Sequence, residues 1–329
     1  MNHYRLSICI PTYNRAEYIG DTLSNITSQP LQEVEIVILD GASSDNTATV
    51  VNGFQERFPN ISYHRETQNG GVDLDLAKAV AAARGEYCWL MSSDDFIAEG
   101  AIQRVLSEIE LGFAIYSCSI VACTKGMVPF TTMHWFPPKM GDCVFDFSRE
   151  ADVIEYLEKA ESIGALFSYM PSIVVRRSDW NRVSGSEEFY GSCYAHVFTL
   201  FSILQMPNKV KYISTPLLLT RFGNDAATAR GFWKRIMLDF DGYIAFGERL
   251  WPNNHRLRQA FLDVLRRSHP WYRLIRVRSL ASVEQWRMTQ SRLRIVGYSS
   301  ATILVCNYCG SLRSLVSLAF RVRKLLRPI

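Results

Sequence analysis

The stretch Tyr87-Cys88-Trp89-Leu90-Met91-Ser92-Ser93-Asp94-Asp95 passes directly from an apolar, aromatic run into two adjacent carboxylates. A short continuous apolar run is typical of a buried strand. Carboxylates at the carboxyl end of such a strand escape burial in the sheet and face an open crevice. The stretch therefore predicts a buried strand that ends at the edge where a ligand binds.

Three strand and helix pairs precede this stretch. Strand patterns occupy residues 5–10, 33–40 and 61–66, and helix patterns occupy residues 15–29, 43–58 and 74–85. Strands that alternate with helices of this length predict an α/β fold with a mostly parallel sheet and helices on both faces. In such sheets ligands bind beyond the carboxyl ends of the strands.

The same edge is expected to collect polar groups from three strands. The loop Pro11–Asn14, Asp40, and the pair Asp94 and Asp95 all follow predicted strands. An alternative is that the pair caps a helix predicted over residues 97–109, because Asp is a favoured N-cap residue. One Asp suffices for a cap, so two in succession on the same edge as Asp40 favour a ligand site.

The second part of the chain is less regular. Residues 113–123 are typical of a strand, residues 151–163 and 194–204 of helices, and residues 209–221 of a strand pair. The loop "MHWFPPKMGD" (residues 133–142) predicts either a surface that shapes a pocket or aromatic packing. From about residue 224 the sequence is helical and basic.

Charge and cysteine usage indicate the cellular environment of the protein. The net charge is +4, yet residues 221–329 carry about 20 Lys and Arg against about 6 Asp and Glu. Eight scattered cysteines indicate reduced thiols, and the lone pair Cys306 and Cys309 lacks the second pair that a zinc site needs. The N-terminus shows no signal-peptide pattern, so we expect the protein on the cytosolic side.

Four motifs together resemble the family 2 glycosyltransferases, which have the GT-A fold. They are "SICIPTYNRAEYI" (7–19), "VILDGASSDNT" (37–47), "NGG" (69–71) and "ARGEYCWLMSSDD" (83–95). The continuous run from "GGVDLDL" to "SSDD" is similar to the abequosyltransferase-like branch, whose members attach deoxysugars during O-antigen assembly. The resemblance implies a GT-A domain over residues 1–222, with a nucleotide-binding half (1–110) and an acceptor-binding half (111–222), followed by a helical basic region (223–329).

The resemblance implies a nucleotide-diphosphate sugar as donor and a divalent cation, Mn²⁺ or Mg²⁺. A hard cation neutralises the diphosphate and often takes only one or two carboxylates besides the phosphates. By analogy with the family, Asp95 holds the metal and Asp94 contacts the ribose or the metal. Ser92 stands where the family more often has Asp.

The nucleotide pocket follows from the same analogy. Asp40 is expected to hydrogen-bond the base, and Gly71 and Lys78 are expected near the diphosphate. For Lys78 a solvated helix lysine is the alternative. The loop that lines the base comprises Pro11, Thr12, Tyr13 and Asn14, and turn chemistry is an alternative role for Thr12 and Asn14.

A general base is required if the reaction inverts the anomeric centre, as it usually does in this family. The family's Glu-Asp pair is replaced by "YAH" within "GSEEFYGSCYAHVFTLF" (185–201). His196 is one candidate, since imidazole titrates near neutral pH. Glu187 and Glu188 are the competing candidates.

The expected acceptor is a saccharide carried on polyprenyl diphosphate, which places the enzyme on the cytoplasmic face of the inner membrane. Residues 311–329 alternate apolar and basic residues as an interfacial helix does, although a helix packed on the protein has the same pattern. No nucleic-acid motif is present. The alternative functions are a nucleotidyltransferase and a noncatalytic sugar-nucleotide or membrane-binding protein.

Overall fold

A computed structural model of the chain describes residues 4–224 and 231–312. Strands lie at Leu6–Thr12 (β1), Val34–Asp40 (β2), Ile61–Arg65 (β3), Tyr87–Leu90 (β4), Phe96–Ile97 (β5), Ile115–Cys123 (β6), Pro129–Met133 (β7), Cys143–Asp146 (β8), Ile173–Arg176 (β9) and Lys209–Arg221 (β10). Helices lie at Ile19–Thr27 (α1), Thr47–Gln55 (α2), Val72–Ala82 (α3), Ala101–Ile109 (α4), Glu150–Lys159 (α5), Arg177–Trp180 (α6), Ala195–Leu204 (α7), Phe232–Leu250 (α8), His255–Ser268 (α9), Trp271–Leu280 (α10), Val283–Val296 (α11) and Ser300–Ser311 (α12). Short 3₁₀ turns occupy Pro138–Met140, Met170–Ser172 and Ser186–Phe189.

One sheet contains all of these strands. Its order is β3-β2-β1-β4-β9-β6-β10-β5, with β7 beside β6 and β8 beside β10. Strands β3, β2, β1 and β4 are mutually parallel, as the sequence predicts. Strand β9 lies antiparallel between β4 and β6, which the sequence does not predict. The sheet is therefore parallel in its N-terminal half and mixed in the rest.

The central strands are buried along their whole length, because they lie in the interior of the sheet. Every residue of β1, β2 and β4 is buried, which is the reason for their continuous apolar runs. The polar pair Ser7 and Glu35 is satisfied within this core. Ser7 donates to Glu35 at 2.7 Å, and the backbone N–H and the guanidinium of Arg84 donate to Glu35 at 2.6 and 2.9 Å.

One local prediction was wrong, and one alternative is excluded. Residues 209–221 form one strand rather than two, with a register shift between Ile213 and Leu218. Pro216 lies inside that shift and cannot donate a ladder hydrogen bond. Helix α4 begins at Ala101 with Gly100 as its N-cap, so the carboxylate pair that follows β4 does not cap this helix.

The aromatic loop at residues 133–142 packs inward. Trp135 is 2 % exposed and Phe136 is also buried. A Cβ atom added to Gly164 would lie 2.1 Å from the Trp135 ring, so the indole lies flat against a position that requires glycine. The prediction that this loop shapes a pocket surface is therefore wrong for Trp135 and Phe136, and the packing interpretation applies to them.

The chain divides into two compact units. The first comprises residues 1–153 and 164–222, and the second comprises residues 154–163 and 223–329. The second unit contains α8 to α12. Three of these helices, α9, α11 and α12, start with side-chain caps at Asn254, Ser282 and Ser299, and Ser282 forms a full capping box with Gln285.

The structure gives the state of the cysteines and tests the helices for membrane spans. All eight cysteines are free thiols. Among residues 4–224 and 231–312, no helix combines the length and the hydropathy that crossing a bilayer requires. The tail at residues 313–329, to which the sequence assigns an interfacial helix, lies outside the described residues.

Candidate functional site

Three parallel strand ends meet at one edge of the sheet. Thr12 at the end of β1 pairs with Asp40 at the end of β2. Cys9 of β1 pairs with Leu90 of β4, and the Met91 N–H donates to the Cys9 carbonyl at 2.9 Å. The predicted common edge for the first loop, Asp40 and the carboxylate pair is therefore confirmed.

Asp40 is fully buried and holds the loop that follows it. One carboxylate oxygen accepts the Ser43 N–H at 2.8 Å, and the other accepts the Tyr63 hydroxyl at 2.5 Å. Burial and the Asp40 charge raise the pKa of Tyr63, so the phenol stays protonated as a donor. Both oxygens of Asp40 thus have a protein donor, and any contact with a base would use their remaining lone pairs.

The first loop and the loop after β2 fasten each other. The Asn14 N–H donates to the Ser43 hydroxyl at 2.8 Å, and the Ser44 N–H donates to the Asn14 side chain at 2.8 Å. Asn14 has a φ of 52°, a left-handed conformation that Asn tolerates. Tyr13 is 43 % exposed, whereas Thr12 is buried and its hydroxyl has no hydrogen-bond partner among the described residues.

Helix α3 starts at the same edge. Gly71 is its N-cap with a φ of 83°, and the Gly71 N–H donates to the Asn69 side chain at 2.8 Å. Lys78 lies two turns further on, and its ammonium contacts Glu66 at 2.7 Å. Lys78 is therefore paired with a carboxylate, and its expected place near the diphosphate stays a prediction.

Asp75 is a site residue that the sequence did not single out. It is 2 % exposed, and its Oδ1 atom has no hydrogen-bond partner among the described residues. A Cβ atom on Gly41 would lie 2.4 Å from Asp75 Oδ2, so only glycine at position 41 permits this approach. Burial, the Glu66 charge and the Asp40 charge raise the pKa of Asp75 to about 6.

Asp95 is held by three donors. Its carboxylate accepts the Ser92 hydroxyl at 2.7 Å, the Tyr169 hydroxyl at 2.8 Å and the Arg221 N–H at 2.7 Å. Burial and the Asp94 charge raise the pKa of Asp95 to about 7. Asp94 is less buried than Asp95, and its carbonyl accepts the Arg221 guanidinium at 3.0 Å.

The donor set at this edge suits a cation that is completed by a ligand. Within residues 4–224 and 231–312 no cluster of three or more His, Cys, Asp or Glu side chains could hold a metal ion. Mg²⁺ and Mn²⁺ accept oxygen ligands and are commonly held by one or two carboxylates plus substrate phosphates. Asp94 and Asp95 fit that smaller set, and they do not fit a closed protein site.

Asp73 joins the start of α3 to the start of α7. Its carboxylate accepts the backbone N–H groups of Gly191 at 2.9 Å, Cys193 at 2.8 Å and Ala195 at 3.1 Å. Helix α7 has no side-chain cap of its own, so Asp73 satisfies the first of its free N–H groups and faces its positive end. Cys193 has a φ of 65°, which the three bonds stabilise.

The predicted base candidates occupy different environments. His196 is 6 % exposed, and its Nε2 lies 3.0 Å from the Phe167 carbonyl. Burial lowers the pKa of His196 to about 4, so the ring is neutral at pH 7. Glu187 and Glu188 are exposed in a 3₁₀ turn, and Glu187 accepts the Gly185 N–H at 3.0 Å.

The sequence did not point to four residues of the site, which are Asp73, Asp75, Tyr169 and Arg221. The two aspartates had a signal, since "VDLD" places two acidic residues at the start of a helix beside the "NGG" turn. Tyr169 and Arg221 reach the site from 74 and 126 residues beyond Asp95. No local sequence pattern predicts contacts between residues that lie so far apart in the chain.

A protein-family model matches more than half of the chain. Residues 7–185 match the model of glycosyl transferase family 2. Among curated proteins, the chain is 32 % identical over 271 residues to the abequosyltransferase RfbV of Salmonella typhimurium, a match that covers 81 % of each protein.

Solved structures share the fold at low sequence identity. The crystal structure of TarS from S. aureus superposes with a TM-score of 0.64 at 15 % identity, and the match covers 96 % of this chain and 91 % of that one. The mannosyltransferase PcManGT from Pyrobaculum calidifontis, in complex with GDP-Man and Mn²⁺, gives a TM-score of 0.53 at 16 % identity, covering 94 % and 87 %. The predicted GT-A fold is therefore confirmed.

Proposed function

Since this chain belongs to glycosyl transferase family 2 and is a glycosyltransferase, we propose that it moves a deoxyhexose from a nucleoside diphosphate to a saccharide acceptor on polyprenyl diphosphate. The product would enter O-antigen or another bacterial surface polysaccharide. The observation that carries the proposal is the meeting of three parallel strand ends, which brings the first loop, Asp40 and the Asp94–Asp95 pair to one edge. Ligands bind at that edge of a parallel sheet.

The nucleoside would lie against the loop that contains Thr12 and Tyr13. Thr12 offers a buried hydroxyl without a partner, and Asp75 offers a buried carboxylate oxygen without one. Unsatisfied buried polar atoms are costly, so a ligand that pairs with them gains binding energy. Tyr13 is exposed enough to pack on a base. Asp40 supports this pocket through the loop that follows it, because its carboxylate accepts the Ser43 N–H and Ser43 in turn accepts the Asn14 N–H of the first loop.

Asp94 is proposed as the principal metal ligand, with Asp95 in a supporting position. Asp94 is the more exposed of the two, so a hydrated cation and the donor phosphates reach it more readily than they reach Asp95. A divalent cation bound there with the donor phosphates would neutralise the charge that develops on the leaving diphosphate. Arg221, whose guanidinium lies beside Asp94, adds fixed positive charge nearby.

The general base is proposed to be Glu187 or Glu188. A general base must come within hydrogen-bond reach of the acceptor hydroxyl, and His196 is only 6 % exposed. His196 also has one ring nitrogen engaged by the Phe167 carbonyl. Both glutamates are reachable from solvent, where an acceptor hydroxyl would arrive.

The test is a donor panel. Purified enzyme is incubated with UDP-, TDP-, CDP- and GDP-sugars and Mn²⁺, and release of the nucleoside diphosphate is measured with and without a saccharide acceptor. We expect hydrolysis of one nucleotide class, loss of it in Asp94→Asn, and retained folding in that variant. Tight nucleotide binding without turnover of any donor would favour the noncatalytic alternative. A nucleotidyltransferase would instead release pyrophosphate from a nucleoside triphosphate.

Attachment to the cytoplasmic face of the inner membrane is proposed for the basic C-terminal region. The region from residue 221 onward carries the excess of Lys and Arg that an anionic surface attracts. Sedimentation of the full chain with membranes, and its decrease on deleting residues 313–329, would test the role of the tail. Unchanged sedimentation would reject it.

A further inference from the structure

Helix α12 presents an apolar face to solvent. Leu304 is 68 % exposed, Val305 47 %, Tyr308 72 % and Leu312 46 %. At 3.6 residues per turn, Leu304, Val305 and Tyr308 fall within an arc of roughly 100° on α12, and Leu312 follows the helix as its C-cap residue. We call Leu304, Val305, Tyr308 and Leu312 the α12 face. Large apolar side chains that are exposed together on one face mark a contact surface.

The opposite side of α12 is already used. Ile303, Cys306 and Gly310 are buried. The Cys306 thiol donates to the Trp271 carbonyl, and a Cβ atom on Gly310 would lie 2.5 Å from the Arg278 side chain. Helix α12 is therefore fixed against α10 by its inner side, and the α12 face is left without a protein partner among the described residues.

The part of the chain that contains this face is strongly basic. Residues 271–312 contain Arg273, Arg276, Arg278, Arg287, Arg292 and Arg294 against the single acidic residue Glu284. Trp271, at the first position of α10, is 54 % exposed. Apolar and aromatic side chains beside arginines match the boundary between lipid headgroups and acyl chains.

We propose that the α12 face, with Trp271, docks on an anionic lipid bilayer. The inference extends the proposed membrane attachment by assigning it to described helices rather than to residues 313–329 alone. Helix α12 has 12 residues, or about 18 Å at 1.5 Å per residue, so it would lie in the interface and would not span the bilayer. A second copy of the chain is a poorer occupant, because two surfaces of like charge would meet.

Vesicle flotation of the full-length protein tests this surface. The probes are vesicles of phosphatidylglycerol and phosphatidylethanolamine at 3:7, and vesicles of phosphatidylcholine alone. The wild type is expected to bind the anionic vesicles and to be released by high salt. Leu304→Ser with Tyr308→Ser should weaken binding at least tenfold, and deletion of residues 313–329 should weaken it less than completely.

The control carries the same kind of change elsewhere. Leu111 and Val128 are 56 % and 62 % exposed in the first unit, and Leu111→Ser with Val128→Ser should alter vesicle affinity less than twofold. Wild-type affinity in the Leu304→Ser and Tyr308→Ser variant would overturn the proposal, as would a dimer in light scattering that this variant dissociates. Donor hydrolysis without vesicles should be unchanged in the variant, so failure of the proposed function and failure of this surface give different results.

A fluorescence measurement adds a second readout. Trp271→Phe should remove most of the blue shift in emission that anionic vesicles induce, since Trp271 is the exposed tryptophan of this region. An undiminished blue shift in Trp271→Phe would overturn the assignment of Trp271 to the membrane surface.

Discussion

Replacing Asp73 by Ala should destabilise the first unit more than any surface substitution does. The change leaves three backbone N–H groups without their acceptor, at Gly191, Cys193 and Ala195. Ala195 is buried, so its N–H incurs the full cost of an unsatisfied donor, about 2 kcal/mol. The other two are partly reached by water and contribute about 0.5–1 kcal/mol each.

The expected total is a fall of about 3–4 kcal/mol in the free energy of unfolding, measured by urea denaturation at pH 7. Asp73→Asn keeps one carbonyl oxygen as an acceptor and should lose about half of that amount. Asp152→Ala is the matched control. Its partner Arg149 is largely exposed, so the loss should stay below about 0.5 kcal/mol. A loss under about 1 kcal/mol in Asp73→Ala, with an unchanged m-value, would refute the reasoning.

Three further predictions concern the site. Between pH 6.5 and pH 5 only the unfolded chain protonates His196, because the pKa of His196 in the folded protein is about 4, and this proton uptake lowers the stability of the wild type. His196→Asn should therefore lose about 1–2 kcal/mol less unfolding free energy over this range, measured by urea denaturation. An unchanged pH dependence would contradict this. Asp75 is neutral in the folded protein below its pKa of about 6, and its stabilising contribution is lost as the pH rises through that value and the buried carboxylate becomes charged. Asp75→Asn should therefore raise the free energy of unfolding at pH 8 by about 1–2 kcal/mol. The same variant should bind nucleoside diphosphates at least tenfold more weakly by calorimetry, and unchanged affinity would remove Asp75 from the pocket. Tyr169→Phe removes one donor from Asp95 and should lower donor hydrolysis about tenfold at a cost of about 1 kcal/mol in stability; wild-type turnover would show that Asp95 needs no such support.

The sequence predicted the part of the fold that rests on local patterns. The alternation of strands and helices up to β4 has a clear period, and a parallel sheet then places the strand ends at one edge. Strand β9 has only four residues and enters the sheet antiparallel from a distant segment. Its place depends on tertiary pairing that no window of the sequence contains.

The sequence pointed to three acidic residues of the candidate site, and it did not point to Asp73, Asp75 or the side chains that support Asp95. Asp40, Asp94 and Asp95 were visible because each follows an apolar run. Tyr169 was not, because it lies in an irregular segment whose conformation is set by packing: the Tyr169 ring lies 6.3 Å from the buried Trp135 ring. The sequence pointed to Lys78 but not to its ion pair with Glu66, because that contact depends on how α3 packs beside the end of β3.

Backbone N–H groups donate to the buried carboxylates of Asp73 and Asp95, and this affects which neighbouring residues can change during evolution. All three bonds to Asp73 and one of the three to Asp95 come from backbone N–H groups, which every residue except proline supplies. The donor positions can therefore drift in sequence without breaking the bonds. In an alignment of relatives we expect Asp73 to stand as an isolated invariant column without covarying partners, so contact prediction from covariation would underweight the links that fix the start of α7.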